Sequence, residues 1–417
     1  MKMRQALVFG AGAIGLGLLG GVLLRSGYCT KYVDVDDRIV SALHNQRCYS
    51  FNVVGPRTKV VEVAHVDAVG YSDRTALDNA VTDADVVFTA TTENALPPIA
   101  KAIAGGLVKR AKNWRPLNIV SCENLQDTAS LLKGYVTREL ADTKMDGDSR
   151  RVIDDTGFAN TIISKMCKKS ETPEACSSEP VCEGLDVFVE VEPEGDFMID
   201  QTAMKGEELG FKGPRLLDKA RFSAECNRKT FAHNGGHALL AYLGALKGFI
   251  YIRESGLDNG IKVVFYRAIG EEMGRSLTSR YPEYFSSSGF GEYVDNIFIR
   301  MVSPYLKDTV DRGTRSSIKK ISGNDARLTR AARFSVEQGV TPRYFCLTIA
   351  AALLLNRIGR SELSDALRNI CNLDPIKDFG LMTLIIKAYE TLTGWQKLNF
   401  PDLKQFLDES DYETPLT

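Results

Sequence analysis

Histidine is scarce in this chain, four among 417 residues, and tryptophan occurs only twice. Long apolar runs are missing too: nothing approaches the ~20 consecutive residues that a helical membrane span requires. The longest, "GLGLLGGVLL" near the N-terminus and "FCLTIAAALLL" at 345–355, are short enough to read as buried helices. The opening apolar run leads into a glycine pattern and not a cleavage site, which argues against a signal peptide and for a cytoplasmic protein. Charge of one sign is also lacking. With 52 Lys and Arg against 53 Asp and Glu, nothing steers the whole molecule toward nucleic acid or a membrane. The nine cysteines are an odd number without any C-x2-C doublet, so reduced thiols are expected and neither a disulfide framework nor a zinc knuckle.

What is present divides in two. "QALVFGAGAIG" is an apolar strand that turns on glycine into a helix, and "TKYVDVDD" is a second strand with acids at its C-terminal end. "DRIVSALHNQ" is an amphipathic helix, "ADVVFTAT" a buried strand, "LPPIAKAIAGGLVKRAK" a proline-opened helix and "PLNIVSCEN" a further strand. Such alternation indicates an α/β, doubly wound parallel sheet. Residues 141–150 and 167–184 read as surface loops, and two strands between about 185 and 200 are expected at the sheet edge. After residue 210 the apolar spacing becomes helical. The predicted division is 1–205 for a Rossmann-type nucleotide domain and 206–417 for a mainly helical catalytic domain, with an acidic tail from 402.

Gly10-x-Gly12-x-x-Gly15, with Ala13 and Ile14 inside it, follows a strand and opens a helix, and Asp34 ends the next strand. Glycines allow the tight turn and the approach of a diphosphate to backbone N–H groups, while the carboxylate accepts from a ribose 2′-hydroxyl. The pattern predicts a dinucleotide site. Asp34 would repel a 2′-phosphate, so NAD is expected over NADP, with Thr89 and Thr91 at the end of a neighbouring strand also lining the site.

"RKTFAHNGGHALLAYLG" (228–244) places two of the four histidines beside a lysine, an asparagine and a glycine pair. Read as an α-helix at ~100° per residue, Asn234 lies roughly 140° from Lys229 with His237 between them, so all three can face one cleft. His233 points elsewhere. A zinc pair from His233 and His237 is disfavoured, because Asn-Gly-Gly follows the first histidine where a glutamate would be expected. The Y-x-x-x-K pair of short-chain dehydrogenases is absent. That leaves a desolvated lysine as the base for alcohol oxidation, with asparagine amides as donors to the alkoxide.

K229-T-F-A-H-N234-G-G-H237 resembles the K-x4-N-x2-H signature of the polyol-specific long-chain dehydrogenases, the mannitol dehydrogenase family. "FGAGAIGLG", "GLVKR…PLNIVSCENL", "GGHALLAYLG" and "SPYLKDTVDRGTRSSIKKIS" resemble further family segments in the same order, over most of the chain. The resemblance implies that Lys229 is the acid/base, that Asn124 and Asn234 form the oxyanion site and that His237 orients the substrate. It implies metal-independent interconversion of mannitol 1-phosphate and fructose 6-phosphate, with a free polyol or sugar acid as the alternative substrate. It also favours a monomer or weak dimer. A non-catalytic NAD(H) sensor is the alternative of another class, although a sensor needs none of these four side chains. Arg312, Arg315, Lys319, Lys320 and Arg327 form a basic segment suited to a phosphate or to sugar hydroxyls. Departures from the family fall at Leu16, Ser317 and Lys319, where arginine, proline and arginine are usual, and at Asn160 and Lys165, which replace a D…R pattern.

Overall fold

A computed structural model describes residues 3–111, 114–125, 127–143, 148–173, 177–322 and 326–397. Cys176 and the acidic tail lie outside them, as does part of the 141–150 segment, whose end is helical (Asp148–Asp154). The chain forms two compact units divided between Phe222 and Ser223. The division falls beyond residue 205 because one more strand of the first unit, at 215–217, pairs into its main sheet.

Among the described residues the first unit contains twelve strands: β1 (Arg4–Phe9), β2 (Tyr28–Asp34), β3 (Cys48–Val53), β4 (Lys59–Ala64), β5 (Val66–Gly70), β6 (Val86–Thr89), β7 (Leu117–Ser121), β8 (Thr156–Ile163), β9 (Cys167–Ser170), β10 (Phe188–Val191), β11 (Phe197–Asp200) and β12 (Arg215–Leu217). Eight build a sheet ordered β12-β11-β8-β7-β6-β1-β2-β5, parallel from β8 to β5. The strand order reverses between β1 and β6, and doubly wound folds bind ligands at such a reversal, beyond the carboxyl ends of the strands. Val86, Val87, Phe88 and all of Leu117–Ser121 are buried, as expected for strands covered by helices on both faces.

The remaining four strands form a second sheet, β4-β3-β10-β9. This corrects the reading of 188–191 as an addition to the main sheet edge. β10 instead pairs in parallel with β3 and antiparallel with β9, and the buried Val189 and Val191 are covered from one side by the helix that follows the glycine turn. The supposed surface loop therefore begins as a strand, at Cys167.

The second unit is helical around one core that includes Phe231, Tyr242, Phe265, Phe298, Phe345 and Leu353. Its central helices, Asn234–Leu246 and Arg343–Leu355, are buried along nearly their whole lengths. No helix among the described residues is long and apolar enough to cross a membrane.

Candidate active site

In the first unit the glycine turn is shaped by what each missing side chain permits. Gly10 sits at φ +103°, where a side chain is strained, and a Cβ there would collide with the carbonyl of Ala90 at the end of the neighbouring strand. A Cβ on Gly15 would collide with the carbonyl of Gly10. Gly12 differs, since a Cβ there would meet nothing within 4 Å among the described residues. Protein packing does not require that glycine, whereas a diphosphate approaching the backbone does. Gly12 N-caps the helical segment Ala13–Leu19 without a side-chain cap. Ala13 and Ile14 are half-buried at its start and residues 15–19 are buried. The residues present thus fit a dinucleotide.

Asp34 has a second task. Its Oδ2 accepts from Ala11 N at 2.6 Å, and its Oδ1 accepts from Val35 N and Asp36 N at 2.8 and 3.0 Å. The carboxylate ties the end of β2 to the glycine turn and still has acceptor capacity, since an ionised carboxylate offers about four lone-pair sites. Thr89 is fully buried and donates to Glu123 Oε2 at 2.9 Å; Thr91 N donates to Oε1 of the same residue at 3.1 Å. Both threonines, read from sequence as lining the site, are thereby held by one carboxylate. Burial raises the Glu123 carboxyl above its ordinary range, against the hydrogen bonds from Thr91 and Thr89. Glu123 joins the ends of β6 and β7, and Asn124 follows it, exposed, on the bend after β7. The only sequence signal for Glu123 was its place beside Asn124 in "SCEN".

In the second unit the stretch around Lys229 is not a plain α-helix. Lys219–Asn227 is α-helical, Arg228–His233 is a π-helical turn, and the α-helix resumes at Asn234–Leu246. The backbone N–H of Asn234 donates to the carbonyl of Lys229, an i→i+5 bond. Asn234 is thus stacked one wide turn above Lys229 and does not lie 140° around from it. His237, three residues on, shares the Asn234 face. Such bulges are rare and occur often at functional sites. The glycine pair has a packing reason: a Cβ on Gly235 would lie 3.0 Å from the Phe345 ring and one on Gly236 2.6 Å from the Phe265 ring.

His237 Nε2 lies 2.8 Å from Oδ2 of Asp308, whose side chain is only 3% exposed. Arg312 Nε donates to Asp308 Oδ1 at 2.6 Å, and its Nη2 donates to Oδ2. Burial pushes the Asp308 carboxyl up, but the bonds from His237 and Arg312 outweigh it and hold the group well below the carboxylate range. An ionised Asp308 only accepts, so Nε2 of His237 carries the proton of this bond. Gly313 allows this closeness, since a Cβ there would lie 3.3 Å from His237 Cε1 and 2.5 Å from Ala241 Cβ. Sequence reasoning missed Asp308, which lies 71 residues from the histidine it orients.

His233 Nδ1 is buried and without a hydrogen-bond partner among the described residues. Burial first, then the charges of Arg300 and Lys229, push its pKa well below the ordinary value, so the ring is neutral. No cluster of three His, Cys, Asp or Glu side chains suited to a metal occurs among the described residues.

The basic segment is partly committed elsewhere. Arg312 clasps Asp308, and Arg315 pairs with Asp311 at 2.8 Å on the open surface. Lys320 donates to the Gly313 carbonyl and lies 5.5 Å from the Tyr242 ring centre, in the wall beside His237. Lys319 is exposed and Arg327 half-buried. Ser317 is buried and accepts from Asn356 Nδ2 at 2.7 Å.

The mannitol dehydrogenase Rossmann domain family matches residues 4–213 and the mannitol dehydrogenase C-terminal domain family matches 225–387. A mannitol-1-phosphate 5-dehydrogenase of Oceanobacillus iheyensis is 34% identical over 85% of this chain and 87% of its own. Another, of Thermoanaerobacter pseudethanolicus, is 31% identical over 92% and 93%. Among solved structures, Pseudomonas fluorescens mannitol 2-dehydrogenase in ternary complex with NAD and D-mannitol shares the fold, with TM-score 0.69 at 15% identity over 98% of this chain and 95% of that one. A substrate-free D-sorbitol dehydrogenase gives 0.73 at 13%, over 95% and 94%. The chain belongs to the mannitol dehydrogenase family, oxidoreductases that act on a CH–OH group.

Proposed function

We propose that this chain is an NAD-dependent, metal-independent dehydrogenase that interconverts mannitol 1-phosphate and fructose 6-phosphate. The substrate reading is supported by two relatives named mannitol-1-phosphate 5-dehydrogenase, at 31–34% identity. The observation that carries the mechanism is the wide turn that stacks Asn234 on Lys229 and continues to an Asp308-oriented His237.

In the oxidative direction the Lys229 amine takes the proton of the C5 hydroxyl. When bound, the nicotinamide supplies the acceptor for the C5 hydride. An amide N–H of Asn234 donates to the oxygen as it gains negative charge, which stabilises the alkoxide without exchanging a proton. His237 accepts from the neighbouring hydroxyl through Nδ1, with Asp308 fixing its ring. In reduction the Lys229 ammonium returns the proton to the forming alcohol. Lys319 and Lys320 supply positive charge for the substrate phosphate, Arg312 and Arg315 being paired with Asp308 and Asp311.

The deciding experiment follows NADH absorbance with fructose 6-phosphate, fructose and tagaturonate, before and after EDTA. The reading expects oxidation with fructose 6-phosphate and no loss after EDTA. Turnover of fructose but not its phosphate would overturn the substrate, and a zinc-restored loss would overturn the metal-free mechanism.

A further inference from the structure

We propose that Lys169 is a cofactor-binding residue, its ammonium pairing with the diphosphate of the dinucleotide held by the glycine turn. The inference rests on the NAD reading above. It assigns a task to the segment that sequence reading left as a surface loop.

The register of the second sheet delivers the residue. Successive side chains of a strand point to opposite faces, so Cys167 and Lys169 share one face of β9. In the antiparallel pair Cys167 lies opposite Val191 and Lys169 opposite Val189. That face packs on the helix following the glycine turn. A Cβ on Gly17 would lie 2.6 Å from Val191 Cγ2, 3.0 Å from Val189 Cγ1 and 3.8 Å from Cys167 Sγ. With the ribbon seated there, Lys169 Nζ comes 3.5 Å from the carbonyl oxygen of Ala11, inside the glycine turn.

Charge gives the position its meaning. The end of β2 and the residues after it supply Asp34, Asp36 and Asp37, three carboxylates beside a site meant for a dianion. Arg38 does not offset them freely, because Nε and Nη2 bond the two oxygens of Asp36 at 3.1 and 2.9 Å. Asp36 is held below the ordinary carboxylate range chiefly by Arg38, with Lys169 a further attracting charge, and Glu171 acts on Arg38 from the ribbon. Lys169 is therefore a cation placed at the glycine turn and seen by the acids around it. Its bond to Ala11 is at the long limit for a hydrogen bond, so it yields readily to a phosphoryl oxygen. The ribbon itself is held by Val189, Val191 and Cys167 against Gly17, so the lysine is not needed to seat it.

The test measures binding, by calorimetry, of NADH, ADP-ribose and adenosine to the full chain and to Lys169→Ala, Lys169→Glu and Lys169→Arg. Lys169→Ala should raise Kd about fivefold for NADH and ADP-ribose. Lys169→Glu should raise it further, Lys169→Arg should restore it, and added salt should narrow the gap to wild type. Adenosine, which has no phosphate, should bind all four proteins alike. Unchanged NADH affinity in both Lys169→Ala and Lys169→Glu would overturn the assignment. So would equal losses for adenosine and ADP-ribose with a lowered Tm, which would mark a residue that only props the ribbon. A wild-type chain that binds none of the three would overturn the NAD reading itself.

Discussion

The glycine turn of the first unit and the lysine turn of the second use similar backbone devices for opposite ends. Each is a π-helical segment, Ala13–Leu19 and Arg228–His233, running into an α-helix, and each has glycines beside it. At Gly12 the missing side chain leaves open space, which the proposed function fills with the cofactor's diphosphate against the backbone. At Gly235 and Gly236 the missing side chains are filled by the rings of Phe345 and Phe265, and the proposed mechanism leaves the chemistry to Lys229, Asn234 and His237. Identical residue types thus serve ligand approach in one place and core packing in the other. What distinguishes them is what a Cβ would touch.

The comparison can be broken in several ways. The largest expected effect is Lys229→Ala, which should lower kcat by ~10³-fold, within the range for loss of a general acid/base, while NADH titration gives an unchanged Kd. Gly12→Ala should come next, raising the NADH Kd by at least ~10-fold with Tm unmoved, because the added methyl meets ligand and not protein. Gly236→Ala should do the reverse, lowering stability by ~1–3 kcal/mol in a melting experiment while NADH binding is retained. If both glycine variants changed the same observable, the contrast drawn here would fail.

Asp308→Asn is the subtlest. It should cost ~10-fold in kcat/KM through a misoriented His237, since it keeps the size of the side chain but removes its charge. The effect on stability has a definite sign. A carboxyl held below its unfolded value stabilises the fold above the unfolded pKa and loses that contribution as pH falls through the folded one. Wild type should therefore exceed Asp308→Asn in chemical denaturation near neutral pH, and the gap should begin to narrow only below about pH 4, shrinking further as pH falls toward the depressed folded pKa.

Much of this was legible in advance because it is written locally. The Gly10–Gly15 spacing with Asp34, the strand–helix alternation and the helical second half all follow from residues near one another in sequence. The lysine, asparagine and histidine were legible as a cluster, but not their geometry. A π-helical turn is a change in hydrogen-bond partner that apolar periodicity does not encode, so the angle between Lys229 and Asn234 came out wrong. Asp308, Glu123 and Lys169 escaped for a different reason. Each acts through a partner far along the chain: His237, the Thr89–Thr91 strand end, and Ala11. The second sheet was missed because β10 finds its parallel partner in β3, more than a hundred residues earlier.

The account depends most on the Lys229 amine as the group that moves the proton, and chemical rescue tests that directly. Primary amines of graded basicity are added to Lys229→Ala while fructose 6-phosphate reduction is followed. A general acid at Lys229 predicts that the rate rises in proportion to the protonated amine and varies systematically with amine pKa. A variant that turns over as fast as wild type without added amine, or one that no amine accelerates, would contradict it.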